Sequence, residues 1–111
     1  MIKHTKIQQN VYSEYPENYE LAIGGNTAPE VLIQLSKEEN YLMCYSVSEN
    51  LNTPKEALVY LSKNKSWLVR CNVATHKNTP LETLIELCKD VNKSVRCHAQ
   101  EARTNRIGLL K

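Results

Sequence analysis

Aliphatic residues recur along this chain at steps of three and four, and the whole pattern returns every 26 residues. Leu32, Leu58 and Leu84 share one phase, and Leu35, Leu61 and Leu87 share another. Met43, Val69 and Val95 follow, then Val47, Val73 and Ala99. Asn26-Thr27-Ala28 comes back as Asn52-Thr53-Pro54 and as Asn78-Thr79-Pro80, with no gap between copies. Apolar positions spaced this way line one face of an α-helix, whereas a half-buried strand would alternate. An internal period is read before anything else because it sets the architecture.

Each unit predicts two short helices. Thr27, Thr53 and Thr79 stand three residues before Glu30, Glu56 and Glu82, the spacing of a capping box at a helix N-terminus. Pro54 and Pro80 are then expected at the first helical position, where a missing N–H costs nothing. Lys37, Lys63 and Lys89 end this helix at the negative pole of its dipole. After a polar turn, a second helix is expected over about 41–49, 67–76 and 93–102. It stops near Asn50 or Asn78, a residue type that tolerates left-handed backbone.

Isolated helices of this length are marginal in water, so both apolar faces need neighbours to cover them. Stacked units supply that cover, and the expected fold is all-α: an α-solenoid of short helix pairs in a right-handed superhelical stack. The chain reads as one domain, 1–111. Residues 1–25 form an N-terminal cap and a degenerate half repeat; 26–51, 52–77 and 78–103 are three repeats; 104–111 is a tail. Tyr15, Tyr19, Leu21 and Ala22 fall in phase with the second helix of the first repeat, and Ile2, Ile7 and Val11 line one face of a capping helix. Ile107, Leu109 and Leu110 either fold back over the last repeat or offer an association surface.

The period excludes tetratricopeptide and ankyrin units of 33–34 residues and HEAT or armadillo units of about 40–47. The run Val69-Arg70-Cys71-Asn72-Val73-Ala74, followed by Asn78-Thr79-Pro80, Leu84, Leu87 and Val95-Arg96, resembles the leucine-rich repeat variant family. The likeness covers about residues 15–103, with a unit slightly longer than the family's usual one. It implies α-helices alternating with 3₁₀ or short α-helices in a right-handed superhelix. A described member of that family carries an N-terminal cysteine cluster for an iron–sulfur centre. Here the first cysteine is Cys44, inside a repeat, so the cluster is not carried over.

Composition narrows the picture further. The 111 residues include no Phe and one Trp, so the core must be aliphatic. No apolar run approaches the ~20 residues that span a bilayer, and residues 1–10 are polar, so neither a membrane nor a secretory signal is expected. Cys44, Cys71, Cys88 and Cys97 lack the spacing of a metal or redox motif and read as free thiols of a cytoplasmic protein. The net charge of +2 is unevenly spread: residues 1–53 carry three Lys against seven Glu, residues 54–111 eleven Lys and Arg against five acids.

No constellation for catalysis emerges. Cys97 and His98 are adjacent, so they diverge around a helix. No ligand spacing suggests a metal, no glycine-rich loop cradles a phosphate, and no cofactor is implied. The chain reads as a non-enzyme.

What remains is surface. Trp67, Arg70 and Arg96, with Lys63, Lys65, Lys93 and Arg103, form a candidate basic patch anchored by an aromatic ring. The same residues also have a structural reading, in which arginine stems cover apolar surface and the ring packs between units. Two functions follow. One is a protein-binding scaffold whose basic half meets an acidic partner surface, with head-to-tail self-association as a variant. The alternative is a nucleic-acid binder contacting phosphates through Arg70, Arg96 and the nearby lysines.

Overall fold

The computed structural model describes residues 16–109 of the chain. Among these residues it is all-α, with no strand. The helices are α1 (Tyr19–Ile23), α2 (Pro29–Ser36), α3 (Tyr41–Glu49), α4 (Lys55–Leu61), α5 (Trp67–Thr75), α6 (Leu81–Leu87) and α7 (Lys93–Leu109). The capping helix expected from Ile2, Ile7 and Val11, together with Tyr15 and Leu110, lies outside the described residues. No helix here is long and apolar enough to cross a membrane.

The residues that recur in phase make the core. Leu32, Leu58, Leu61, Leu84, Met43, Val47, Val69, Val73, Val95 and Ala99 are fully buried, and Leu35 and Leu87 nearly so. Each completely buried aliphatic side chain contributes about 1.5–3 kcal/mol relative to an exposed one. The second helices pack in a row, α1 on α3, α3 on α5 and α5 on α7, while α2, α4 and α6 each lie against the helix that follows.

The threonines do something other than capping. The residues at the helix N-caps are Ala28, Pro54 and Pro80, none of which supplies a side-chain cap bond. The hydroxyls of Thr27, Thr53 and Thr79 instead donate backwards, to the carbonyls of Leu21, Val47 and Val73, each at 2.6 Å. The expected capping boxes are therefore absent, and Glu30, Glu56 and Glu82 stand exposed in the first turns of their helices. The prolines sit one position earlier than expected, at the N-cap rather than inside the helix. The reason is geometric. The chain turns back sharply after each second helix, which brings the threonine hydroxyl onto a carbonyl of that helix's last turn as a second donor beside the C-cap N–H.

Asn50 and His76 end α3 and α5 in extended rather than left-handed backbone. Their buried side chains tie neighbouring helix pairs together. Asn50 Nδ2 donates to Ala22 O at 2.8 Å and Gly24 O at 2.9 Å, and Oδ1 accepts from Asn52 N at 2.9 Å. His76 Nδ1 accepts from Asn78 N at 3.0 Å, which leaves Nε2–H to donate to Asn50 O at 2.7 Å. Every buried side-chain nitrogen and oxygen among the described residues has such a partner.

The described part of the C-terminal tail, 104–109, continues the last helix rather than folding back. α7 runs unbroken from Lys93 through the expected boundary at 103 to Leu109, because nothing in 103–107 stops a helix. Asn78 Nδ2 donates to Leu51 O and Thr53 O. The carbonyls 26 residues further on belong to Lys77 and Thr79, and the Arg106 guanidinium bonds both, Nη2 to Lys77 O at 3.4 Å and Nη1 to Thr79 O. An arginine from the extended helix thus takes the place that an asparagine fills one unit earlier.

Candidate functional site

The turns α2–α3, α4–α5 and α6–α7 lie along one edge of the molecule, and Arg70 ties two of them together. Its Nη1 donates to Asn64 O at 2.7 Å in the α4–α5 turn. Its Nε and Nη2 donate to Asp90 Oδ2 and Oδ1, at 2.8 and 3.1 Å, in the α6–α7 turn. Asp90 Oδ1 also accepts from Asn92 N at 2.8 Å. Side-chain exposure is 13% for Arg70 and 8% for Asp90. Burial alone would raise the Asp90 pKa, but the Arg70 hydrogen bonds, the Asn92 N–H and the charges of Arg70 and Arg96 carry it below the usual carboxylate value.

Arg96 is similarly engaged, donating through Nη1 to Asp90 O at 2.7 Å and Val91 O at 3.1 Å. The first pair uses a thiol in the same place: Cys44 Sγ lies 3.0 Å from Glu38 O. Positions 44, 70 and 96 therefore share one task, holding the carbonyl six residues earlier. This corrects the expectation of a free arginine ladder. The Arg70 guanidinium is spent on closing turns, whereas Arg96 commits Nη1 alone and remains half-exposed.

The remaining residues of the predicted patch divide. Lys63, Lys65, Trp67 and Lys93 are exposed at the turn edge, with Trp67 43% accessible. Arg103 lies apart, ten residues along α7 from Lys93, or about 15 Å at the helical rise. It borders a shallow hollow with Gln100, Thr104 and Ile107 instead. Three contributors escaped the sequence reading of the patch: Lys37, Tyr60 and Lys89. Lys37, Tyr41, Tyr60, Lys63 and Lys65 line a groove of about 480 Å³, and Lys37 Nζ sits 6.0 Å from the centre of the Tyr60 ring. The exact 26-residue recurrence of lysine at 37, 63 and 89 was the available signal. Val91, 92% exposed, stands between Lys89 and Lys93.

One cysteine–histidine contact crosses helices. Cys71 Sγ lies 3.9 Å from His98 Nδ1, a pairing 27 residues apart that adjacency in sequence does not reveal. The same nitrogen is 2.7 Å from Ser94 O, a partner that only an N–H satisfies, so Nδ1 carries hydrogen and is no base for the thiol. Burial pushes the Cys71 thiol up in pKa, and the Asp90 charge adds to this against the opposing Arg70. The arrangement lacks an activated nucleophile. Cys44 is raised as well, by burial first and then despite a lowering contact with Asn64. All four cysteines are free; Cys44 and Cys71 are buried, and Cys97 is exposed. No group of three or more His, Cys, Asp or Glu among the described residues is placed to hold a metal ion.

No family model, curated protein or solved structure matches this chain.

Proposed function

We propose that the chain is a non-enzymatic α-solenoid of the leucine-rich repeat variant kind, acting as a scaffold whose basic edge binds an acidic surface of a protein partner. The observation that carries this reading is the charge of the turn edge. Lys63, Lys65, Lys89 and Lys93 are exposed around Trp67, while the acid of the α6–α7 turn, Asp90, is already bound by Arg70. The half that meets the partner is therefore cationic, with Trp67 as an aromatic anchor of the type favoured at interface hot spots. The hydrogen bonds that recur at 26-residue intervals support a stacked solenoid, and four free thiols suit a cytoplasmic setting.

A nucleic-acid partner is the second reading, favoured by the half-exposed Trp67 among lysines. Weighing against it, the sequence pI of about 8.3 lies below the value above 9 of a dedicated nucleic-acid domain; Glu38 and Glu39 at the same edge repel an acidic peptide and a phosphate backbone alike. Trp67 is the sole tryptophan, so its fluorescence reports on the edge directly. Poly-glutamate is expected to shift that emission at ~50 mM salt and to lose affinity at ~200 mM, whereas single-stranded and duplex nucleic acids bind far more weakly. Tighter binding of nucleic acid than of poly-glutamate would overturn the order of the two readings. An unchanged poly-glutamate titration in a Lys63→Glu, Lys65→Glu, Lys93→Glu variant would remove the edge from the function.

A further inference from the structure

The turn edge has a fixed pitch as well as a charge. Lys37, Lys63 and Lys89 occupy the same place after the first helix of each pair, 26 residues apart, and all three are exposed. Lys37 and Lys63 open onto one groove. Lys63 and Lys89 are held at a set separation by Arg70, whose single guanidinium bonds Asn64 O beside the first lysine and the Asp90 carboxylate beside the second. Packed helices stand about 8–10 Å apart. An extended peptide in the polyproline II form advances about 3.1 Å per residue with three residues per turn, so every third side chain faces the same way about 9 Å further on.

We infer that this edge reads an extended acidic segment of a protein whose carboxylates recur at every third residue. The inference rests on the acidic-partner reading above and adds the register. Lys63 and Lys89 take successive carboxylates, Lys65 and Lys93 flank them, and Trp67, at the start of α5 beside the α4–α5 turn, packs against neighbouring residues of the segment. At the α2–α3 turn, Glu38 and Glu39 stand beside Lys37, so a third carboxylate in that direction meets repulsion and the segment is neutral or basic there. Arg70 and Asp90 act as positioning residues. They touch no ligand but set the spacing that the lysines present.

The test uses the full chain and labelled short peptides of identical composition and net charge. One carries Glu at every third position and another carries the same Glu residues in one block. Anisotropy and Trp67 emission are followed together. The spaced peptide is expected to bind about fivefold more tightly than the blocked one, the equivalent of one well-placed exposed ion pair. Lys63→Gln and Lys89→Gln should each abolish that preference, and Arg103→Gln, remote along α7, should leave it intact. Arg70→Lys keeps the charge but loses the two-pronged grip on Asp90. It should lower the preference while blocked-peptide affinity stays the same, a separation that simple loss of fold would not produce. Equal affinity for spaced and blocked peptides would overturn the register while leaving the acidic-partner reading standing. Binding of neither peptide nor poly-glutamate would overturn both, as would tighter binding of a single-stranded RNA probe.

Discussion

Arg70 and Asp90, twenty residues apart in the chain, form a two-pronged ion pair in which Nε and Nη2 of the arginine meet the two carboxylate oxygens at 2.8 and 3.1 Å. The pair joins the turn after α4 to the turn after α6 through a third bond from Arg70 to Asn64 O. It is thus a brace between consecutive helix pairs, placed directly under the lysines of the candidate binding edge. Arginine suits the position because its planar fork satisfies a carboxylate and a backbone carbonyl at once.

Removing half of this brace is expected to be costly. Asp90→Ala should lower stability by about 2–3 kcal/mol, less than for a wholly buried pair because both side chains keep some contact with water. Because the folded Asp90 pKa lies below its unfolded value of 3.8, its contribution is complete above that value and disappears as pH falls through the lower, folded one. Urea unfolding of the native chain should therefore shift to lower denaturant in this acid range. Asp90→Asn should show a flatter profile there, and parallel profiles would contradict the assignment.

The threonines and glutamates of the Asn-Thr-Pro segments separate cleanly by mutation. Thr53→Val loses a buried hydroxyl bond to Val47 O and should cost about 1 kcal/mol. Glu56→Ala, exposed and without a capping role, should change stability by no more than about 0.5 kcal/mol. Comparable losses in the two variants would reinstate the capping box.

Arg106 closes the last pair of turn carbonyls. Arg106→Ala should cost about 1–2 kcal/mol, and the loss should be local. Amide exchange in the last turns of α7 is expected to accelerate while that of α3 and α5 stays slow. Uniform acceleration through the molecule would show that the residue supports the global fold instead.

Thiol reactivity should follow exposure and pKa together. Cys97, on the surface, should label first with a thiol reagent at neutral pH, and the half-buried Cys88 more slowly. Cys44 and Cys71, whose thiols burial holds above their ordinary pKa, should label only on unfolding. Mass mapping of a time course decides this, and early labelling of Cys71 would contradict the inert role argued for its contact with His98.

How far the sequence reached depends on the range of the interaction. The helices and their buried faces were legible because three-and-four spacing acts within a turn or two of chain, and the residues recurring in phase, from Leu32 to Ala99, are the buried ones. The second helix of the first unit was placed at its observed ends, Tyr41 and Glu49. Lys63, Lys65, Trp67 and Lys93, for which the periodic pattern left both a surface patch and packing between units open, are exposed.

The errors that bear on the candidate site concern groups that choose among distant partners. Thr53 has an N–H ahead of it and a carbonyl six residues behind, and only the folded turn brings Val47 O to 2.6 Å. Arg70 and Arg96 share one sequence phase and are expected at the surface, yet Asp90 and a turn carbonyl capture Arg70, and two turn carbonyls hold Nη1 of Arg96. Arg103 belongs to the same basic run as Lys93, but an unbroken α7 carries it away from the edge. The sequence by itself determined where helices form and which faces they bury, because those are short-range consequences of side-chain period. Tertiary structure alone decided which charges remain available to a partner, because an ion pair forms across whatever distance the fold removes.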